Sequence, residues 1–577
     1  MAKGKVVRWE PARSVGWYDP RQLARTGIRI AASELFAKHA DLRLLYPYLH
    51  PKETTFVVEN LLPCAKSITL DYIADTGDGF DASYAMAFVA TEKNLADLNP
   101  TIHDQLKLEL KRSLGAQPDD ALVEALQAPG QILVLGGDEV YPTGTKSDYQ
   151  QRFVVPFECA SAELSEKRFA FSIPGNHDWY ENLTAFNEIF LREKKVGAWD
   201  TVQKRSYFAL QLPHDWWVFA TDMQLESDLD GRQLEYFLEL TGRLSPRSKV
   251  ILLHAEPHWV APKEVPYGEN VETLERELAD HLKLLVAGDL HHYRRHVRNG
   301  RQLVTAGGGG AFLHPTHKFD DDTDASRREQ VAYPSRDQSA RVSRWALAFP
   351  FLNGWFWLAS GAIYGLFSMI ILLSTREAMN LTSSLTIATD SLLSPALLTW
   401  AGLLIGGFVA FTDTSKRWYQ YVGGFFHGTV HSLVAMLLPW TTAYVLWTAE
   451  RVPSLPELLG VWIATTLAGA FIGGVVMGLY LYLSLTISGR HRNEAFSAIR
   501  HTGYKSFLRL HIDEQGVLHG VAFGLDKTPK FVIPRTSASG RAKKPRELVV
   551  QRIPWPAIKP CDAASCAPKV VDTFSIK

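Results

Sequence analysis

Between residues 345 and 489 the chain nearly ceases to carry charge, and this constrains its fold more than any other feature. Four runs, 345–375, 391–412, 418–449 and 458–489, contain no Asp, Glu, Lys or Arg. Each exceeds the about 20 residues that a helix needs to cross roughly 30 Å of hydrocarbon. Together they predict a helical bundle of about four membrane spans. Trp345, Trp400, Trp418, Tyr419, Tyr421 and Trp447 stand near run ends, where amphipathic rings favour the membrane–water boundary. Glycines inside the runs, Gly406, Gly407, Gly423, Gly424, Gly473 and Gly474, suit close helix contact. Basic residues set the orientation. Arg336, Arg341 and Arg344 precede the first run, Lys416 and Arg417 lie between the second and third, and Arg490 and Arg492 follow the fourth. With four spans these segments share one side. The expectation is an integral protein of the plasma (inner) membrane with its polar parts cytoplasmic. The N-terminal residues, which lack the apolar stretch of a secretory signal, agree with that side.

The flanking regions are polar. Lys+Arg and Asp+Glu are both 61 over 577 residues, so no basic excess invites nucleic acid, and none is expected as a partner. Cys64, Cys159, Cys561 and Cys566 form no C-x-x-C pair. Reduced thiols are expected rather than a disulfide framework or a thiolate zinc site. The chain divides into an N-terminal segment (1–66), an α/β domain (67–318), a linker (319–344), the transmembrane domain (345–489), a small cytoplasmic α+β segment (490–535) and a flexible tail (536–577).

Within the α/β domain, residues 67–75, 131–135, 168–173, 216–221, 249–253, 284–287 and 302–306 read as short apolar strands. Helical stretches at 91–128 and 232–240 alternate with them, which predicts layered α/β structure. Polar residues follow the carboxyl ends of these strands, where α/β sheets hold ligands. They are DTG at 75–77, GGDEVYP at 136–142, GNHDWY at 175–180, His254, and GDLHHY at 288–293. Two divalent cations about 3.5–4 Å apart can clamp the attacking and leaving oxygens of a phosphate ester. Cations that close need a bridging carboxylate, for which Asp138 is placed. Asp75, Asn176, His254, Asp289 and His291 add the hard oxygens and imidazoles that suit Mn, Mg, Fe or Zn. His177 is placed to protonate the leaving oxygen, with Asp178 fixing its tautomer.

This order of motifs resembles the calcineurin-like metallophosphoesterase superfamily over roughly residues 67–315. The resemblance implies a four-layer αββα sandwich holding two divalent metal ions and hydrolysing phosphate mono- or diesters by attack of a metal-activated hydroxide. It places Asp75, Asp138 and His291 on the first metal, Asp138, Asn176, His254 and Asp289 on the second, and His177 as catalytic acid. Two departures stand out. The first motif usually reads D-x-H, but position 77 is Gly, as in the purple acid phosphatase branch. That branch adds a tyrosine ligand three residues after the second-motif aspartate, which makes Tyr141 a candidate, with Asp78 as an alternative. Asp289 also replaces a usual histidine, which changes the site's charge and metal preference.

Other features carry weaker signals. His258, His292 and His296 lie near the site in sequence and could meet phosphate or belong to its surroundings. The glycines at 307–310 could approach a ligand or form a tight turn, and His314 and His317 could line the mouth. His427 and His431 share a helix face; they could bind a ligand or hydrogen-bond inside the bundle. Arg490, His491, Arg492, Arg500 and Lys505 make a basic juxtamembrane patch that could meet anionic lipid headgroups or be ordinary charge flanking the last span. The reading is a membrane-anchored phosphoesterase whose partners are a phosphate ester substrate, with lipid-linked phosphates attractive, and membrane lipids. The alternative is a membrane sensor or transporter with a regulatory or degenerate domain.

Overall fold

The computed structural model describes residues 6–36, 43, 45–49, 55–63, 65–223, 228–260, 268–318, 327–374, 394–412, 416–446, 454–532, 547–549, 551–555 and 563–577. Its strands are β1 (Val6–Arg8), β2 (Thr55–Val57), β3 (Ile68–Ile73), β4 (Ile132–Leu135), β5 (Arg168–Ser172), β6 (Lys195–Val196), β7 (Trp199–Thr201), β8 (Phe208–Leu212), β9 (Trp216–Ala220), β10 (Lys249–His254), β11 (Leu282–Ala287), β12 (Tyr293–Arg298), β13 (Arg301–Ala306), β14 (Arg328–Tyr333), β15 (Lys505–Ile512), β16 (Leu518–Leu525), β17 (Glu547–Val549) and β18 (Lys569–Ile576). The described residues build two eight-stranded mixed sheets, ordered β14-β12-β13-β11-β10-β9-β8-β2 and β18-β16-β15-β3-β4-β5-β7-β6, beside a β1-β17 ribbon.

Side-chain alternation along β3 explains the sandwich. Ile68, Leu70 and Tyr72 enter a core shared with Trp216, Val218, Ile251, Leu253 and Leu284 of the other sheet. Ile73, on the opposite face, joins Leu133, Leu135 and Ala170 under the helices. Strands buried on both faces are predominantly apolar, as ILVL at 132–135 is, and any charged residue in them needs a buried partner. Each fully buried Leu, Ile or Phe there contributes about 1.5–3 kcal/mol. The helical stretch expected at 91–128 is two helices, Ile102–Leu114 and Asp120–Gln127. Gly115 ends the first, and Asp119 caps the second by accepting the Ala121 N–H at 3.2 Å.

The chain after residue 490 does not form the separate unit expected from its position. β15 pairs antiparallel with β3, from Ile512↔Ile68 to Leu508↔Tyr72, and β16 and β18 extend the same sheet. Asp71 explains the pairing: the Arg509 guanidinium meets its carboxylate twice, at 2.6 and 2.9 Å, and both side chains are buried. Thus β18 occupies part of the expected tail, and β14, paired with β12, occupies part of the expected linker. Cys566 is disulfide-bonded rather than reduced, whereas Cys159 is a free, buried thiol.

The apolar region also departs from four equal spans. Its helices are α2 (Phe356–Ser374), α3 (Pro395–Phe411), α4 (Arg417–Leu446) and α5 (Leu455–Leu483), preceded near the N-terminus by α1 (Pro20–Phe36). Among the described residues two helical stretches, Arg417–Thr442 and Leu455–Ser488, are long and apolar enough to cross a membrane. A third arises if Arg336–Leu352 and Phe356–Leu372 count as one span, but they meet at 64°. Pro350, Asn353 and Gly354 interrupt the first run there. The run at 391–412 yields a helix of 17 residues. His427 and His431 lie inside this bundle. His427 stacks on Tyr480 at 3.7 Å, and the Nδ1 of His431 is 3.0 Å from the Tyr364 hydroxyl.

Candidate metal centre

The strand ends that carry the motifs converge. Asp75 follows β3, Asp138 follows β4, and Asn176–Asp178 follow β5, all in one sheet. His254 ends β10, and Asp289 and His291 follow β11, in the other. Backbone hydrogen bonds fix the first group: Asp75 N–H to Gly137 O and Thr76 N–H to Asp138 O, both 3.0 Å. Asp75, Asp138 and Asp289 have φ of 59°, 53° and 64°. That left-handed region is unfavourable for residues with a Cβ, so the fold holds all three carboxylates in strained turns.

Tyr141 ties the two sheets together. Its hydroxyl donates to Asp75 Oδ1 at 2.9 Å, lies 3.2 Å from Asp138 Oδ2, and is 2.9 Å from His291 Nε2. Asp78, the alternative, points elsewhere. Its oxygens accept the Val15 N–H at 2.7 Å and the Phe312 N–H at 3.1 Å, so it fastens two backbone segments. His291 Nδ1 is held by the Phe312 carbonyl at 2.7 Å, and His254 Nδ1 lies 2.7 Å from the Thr221 hydroxyl. Such contacts leave each Nε2 as the ring nitrogen that could meet a cation. The Asn176 amide donates to the Tyr180 hydroxyl at 3.1 Å, which frees its oxygen.

Asp178 does not orient His177 as expected. One of its oxygens accepts the backbone N–H groups of Asp138 and Gly175, at 2.9 and 2.8 Å, and the other accepts the Tyr149 hydroxyl at 2.5 Å. Asp178 therefore braces the two ligand loops against each other. His177 Nδ1 instead donates to the Pro142 carbonyl at 2.8 Å, which makes Nε2 the ring nitrogen available for proton transfer.

Charge accounts for the electrostatics. Burial, then the fields of Asp138 and Asp289, pushes Asp75 well above the usual carboxylate range. Burial, then Asp178 and Asp289, does the same to Asp138. Burial and Glu256 push Asp289 up to about 7. Burial lowers His254 to about 3 and His177 to about 4. Clustered carboxylates beside neutral imidazoles favour cations.

The donors fit a pair of divalent metals on several further grounds. His254 Nε2 and Asp75 Oδ2 are buried and have no hydrogen-bond partner among the described residues, an arrangement that is costly unless something binds there. A Cβ on Gly175 would collide with Asp138 Oδ1, and one on Gly307 would collide with Asp75 Oδ2. The glycine run at 307–310 thus serves to pass backbone beneath Asp75. His254, His258 and Glu275 also bring one ligand atom each within 4.8 Å of one another. There His258 Nε2 contacts Glu275, so His258 borders the second half of the centre. His314 stacks on His291 at 3.9 Å, His317 Nδ1 is 2.7 Å from the Ser339 hydroxyl, and His296 lies beside Arg294 and Glu329. His292 is buried.

Sequence reasoning missed two residues at this centre. Trp17 sits edge-on to Tyr141, His177 and Phe312, with ring centroids 6.1, 6.0 and 5.4 Å away. Lys505, at the start of β15, is buried, donates to the Ala311 carbonyl, and is lowered to about 8 by burial against the pull of Asp78 and Asp75. Neither belongs to a local motif, and no spacing rule could have found them.

Residues 73–293 match the family model for calcineurin-like phosphoesterases. No curated protein matches in sequence. Among solved structures, similar chains include GAP50, the anchor in the inner membrane complex of Plasmodium, at 11% identity and a TM-score of 0.31; the match covers 45% of this chain and 76% of that one. Another is purple acid phosphatase PPD1 from yellow lupin (Lupinus luteus) seeds, at 14% identity and a TM-score of 0.28, covering 43% of this chain and 45% of that one. The chain thus spans less than half the length of the lupin protein.

Proposed function

We propose that this chain, whose residues 73–293 form a calcineurin-like phosphoesterase domain, is a membrane-anchored hydrolase of phosphate mono- or diesters with a binuclear metal centre. The observation that carries the reading is the convergence of Asp75, Asp138 and His291 on the Tyr141 hydroxyl, from two sheets, within 3.2 Å. Asp75, Asp138, His291 and Tyr141 would hold one cation, and Asp138, Asn176, His254 and Asp289 the other. Bound there, divalent cations supply Lewis acidity and charge neutralisation for phosphoryl transfer.

The protein's own groups do the rest. His177 presents Nε2 while Pro142 holds its other nitrogen. Burial keeps the ring neutral, and an arriving phosphate anion raises its proton affinity, so that Nε2 carries a proton when the leaving oxygen needs one. Asp178 keeps the Asp138 and Gly175 amides in register. Trp17 packs edge-on against His177 and limits its movement. The candidate membrane helices anchor the domain.

The test is hydrolysis of an aryl phosphate monoester and diester by purified full-length protein with Mn, Mg, Fe or Zn. Turnover should require metal and should fall by roughly 10³-fold or more in Asp138→Asn, because several kcal/mol of charge stabilisation are lost. In His177→Ala it should fall about 10²–10⁴-fold with metal content unchanged. A folded protein that binds no metal would refute the assignment.

A further inference from the structure

The N-terminal segment connects the metal centre to the membrane helices over very few residues. Trp17 touches His177 and Tyr141 at the centre. Tyr18 packs edge-on against Phe349 and Phe356, at 4.9 and 6.2 Å, and its hydroxyl donates to Glu494 O at 3.0 Å. Arg21 lies 4.1 Å over the ring of Trp355, at the head of α2. Four residues of chain span at most about 14 Å, so His177 lies close to the head of α2, an apolar helix.

From there α1 carries Arg21, Arg25 and Arg29 at four-residue spacing, all exposed on one flank. The row extends about 12 Å along the helix axis. Its far end reaches the site: Arg29 Nη1 donates to the Thr143 hydroxyl at 2.6 Å and pairs with Glu181 at 3.3 Å, on either side of His177 in sequence. Ile28, seven residues after Arg21 and so on the same flank, is 72% exposed. At the helix head Trp355 is 52% and Phe351 75% exposed. Arginines beside exposed apolar groups are the makings of a helix lying in a membrane interface.

We infer that the Arg21–Arg25–Arg29 face of α1 binds the phosphate-bearing headgroup of a membrane lipid and leads it from the membrane surface towards Trp17 and the metal centre. Guanidinium groups match phosphate oxygens in geometry and charge. Trp17 Nε1, buried and without a hydrogen-bond partner among the described residues, supplies a donor at the end of the path. The apolar chains of the lipid stay beside Ile28, Phe351 and Trp355. Hydrolysis of that lipid rests on the phosphoesterase reading, whereas its binding does not.

The test is amide hydrogen exchange over residues 20–29 of full-length protein in nanodiscs, with chelator present so that no turnover occurs. Phosphatidylcholine discs are compared with discs that also contain phosphatidic acid. At about ten times the dissociation constant, phosphatidic acid should slow exchange about tenfold. Arg21→Gln/Arg25→Gln/Arg29→Gln should abolish the effect. Arg25→Gln alone, which removes a side chain without an ion pair among the described residues, should weaken it and guards against misfolding of the triple variant. Equal exchange in both discs, retained slowing in the folded variants, or equal slowing by soluble glycerol phosphate would each overturn the inference. Because no hydrolysis is measured, failure here is distinct from failure of the enzyme assay.

Discussion

Asp75 and Asp138, carried by the sheet of β3 and β4, are held by donors, whereas His254, at the end of β10, and Glu256 just after it keep buried atoms without a partner among the described residues. Tyr141 and the His177 amide engage both oxygens of Asp138 and one of Asp75, leaving Asp75 Oδ2 over. In the other sheet His254 Nε2 and Glu256 Oε1 have no hydrogen-bond partner among the described residues, and Thr221 fixes only the far side of His254. The difference is one of degree: in the first half the protein's own donors engage three of the four carboxylate oxygens of Asp75 and Asp138, and in the second the buried atoms of His254 and Glu256 have no such donor among the described residues. The first half is costly to disturb structurally, and the second is costly to disturb in metal affinity.

The largest expected effect breaks the first half at its foundation. The guanidinium of Arg509 is buried with both Asp71 oxygens and the carbonyls of Leu126 and Ala90, at 2.6–3.1 Å. Arg509→Leu would leave Asp71 buried and uncompensated, costing about 3–5 kcal/mol. Denaturation of the full-length protein should show this loss, and Asp71→Leu/Arg509→Leu should recover most of it. If the single variant is as stable as the wild type, the sheet of β3 does not depend on β15, and the contrast between the halves loses its structural basis.

A smaller effect should appear in the second half and leave stability nearly intact. Thr221→Val removes the hydroxyl that positions His254. Outer contacts of this kind are worth about 10–100-fold in metal affinity. Metal titration should show one of two cations weakened by that factor and the other unaffected. Equal weakening of both would mean that the halves are not independent.

The motif-bearing strands were legible because each motif is short and sits where a buried apolar run stops: ILVL leads to Asp138, and KVILLH ends in His254. The sheet partners of β3 were not legible. Arg509 lies 438 residues from Asp71, beyond the apolar helices, and periodicity does not report partnership over that distance. Asp178 was misread for a related reason. Its neighbour in sequence is His177, but the short helix at Asn176–Trp179 turns its carboxylate back onto the Gly175 and Asp138 amides. The apolar runs were plain as composition, yet Pro350 and the Asn353–Gly354 pair bent the first of them into two pieces.

The smallest expected effect bears on Tyr141, where the two halves touch. If its oxygen is a ligand of the first cation, Tyr141→Phe should weaken that cation by about tenfold, equivalent to about 1.4 kcal/mol, and should spare the cation held by His254. If the hydroxyl merely donates to Asp75 and Asp138, the variant should lose about 0.5–1.5 kcal/mol of stability with both affinities unchanged. The geometry favours the first outcome. The hydroxyl faces two carboxylates and an imidazole nitrogen at 2.9–3.2 Å, three acceptor-rich groups around an oxygen with one proton to give. A hydrogen bond satisfies one of these contacts, and a shared cation would satisfy them all.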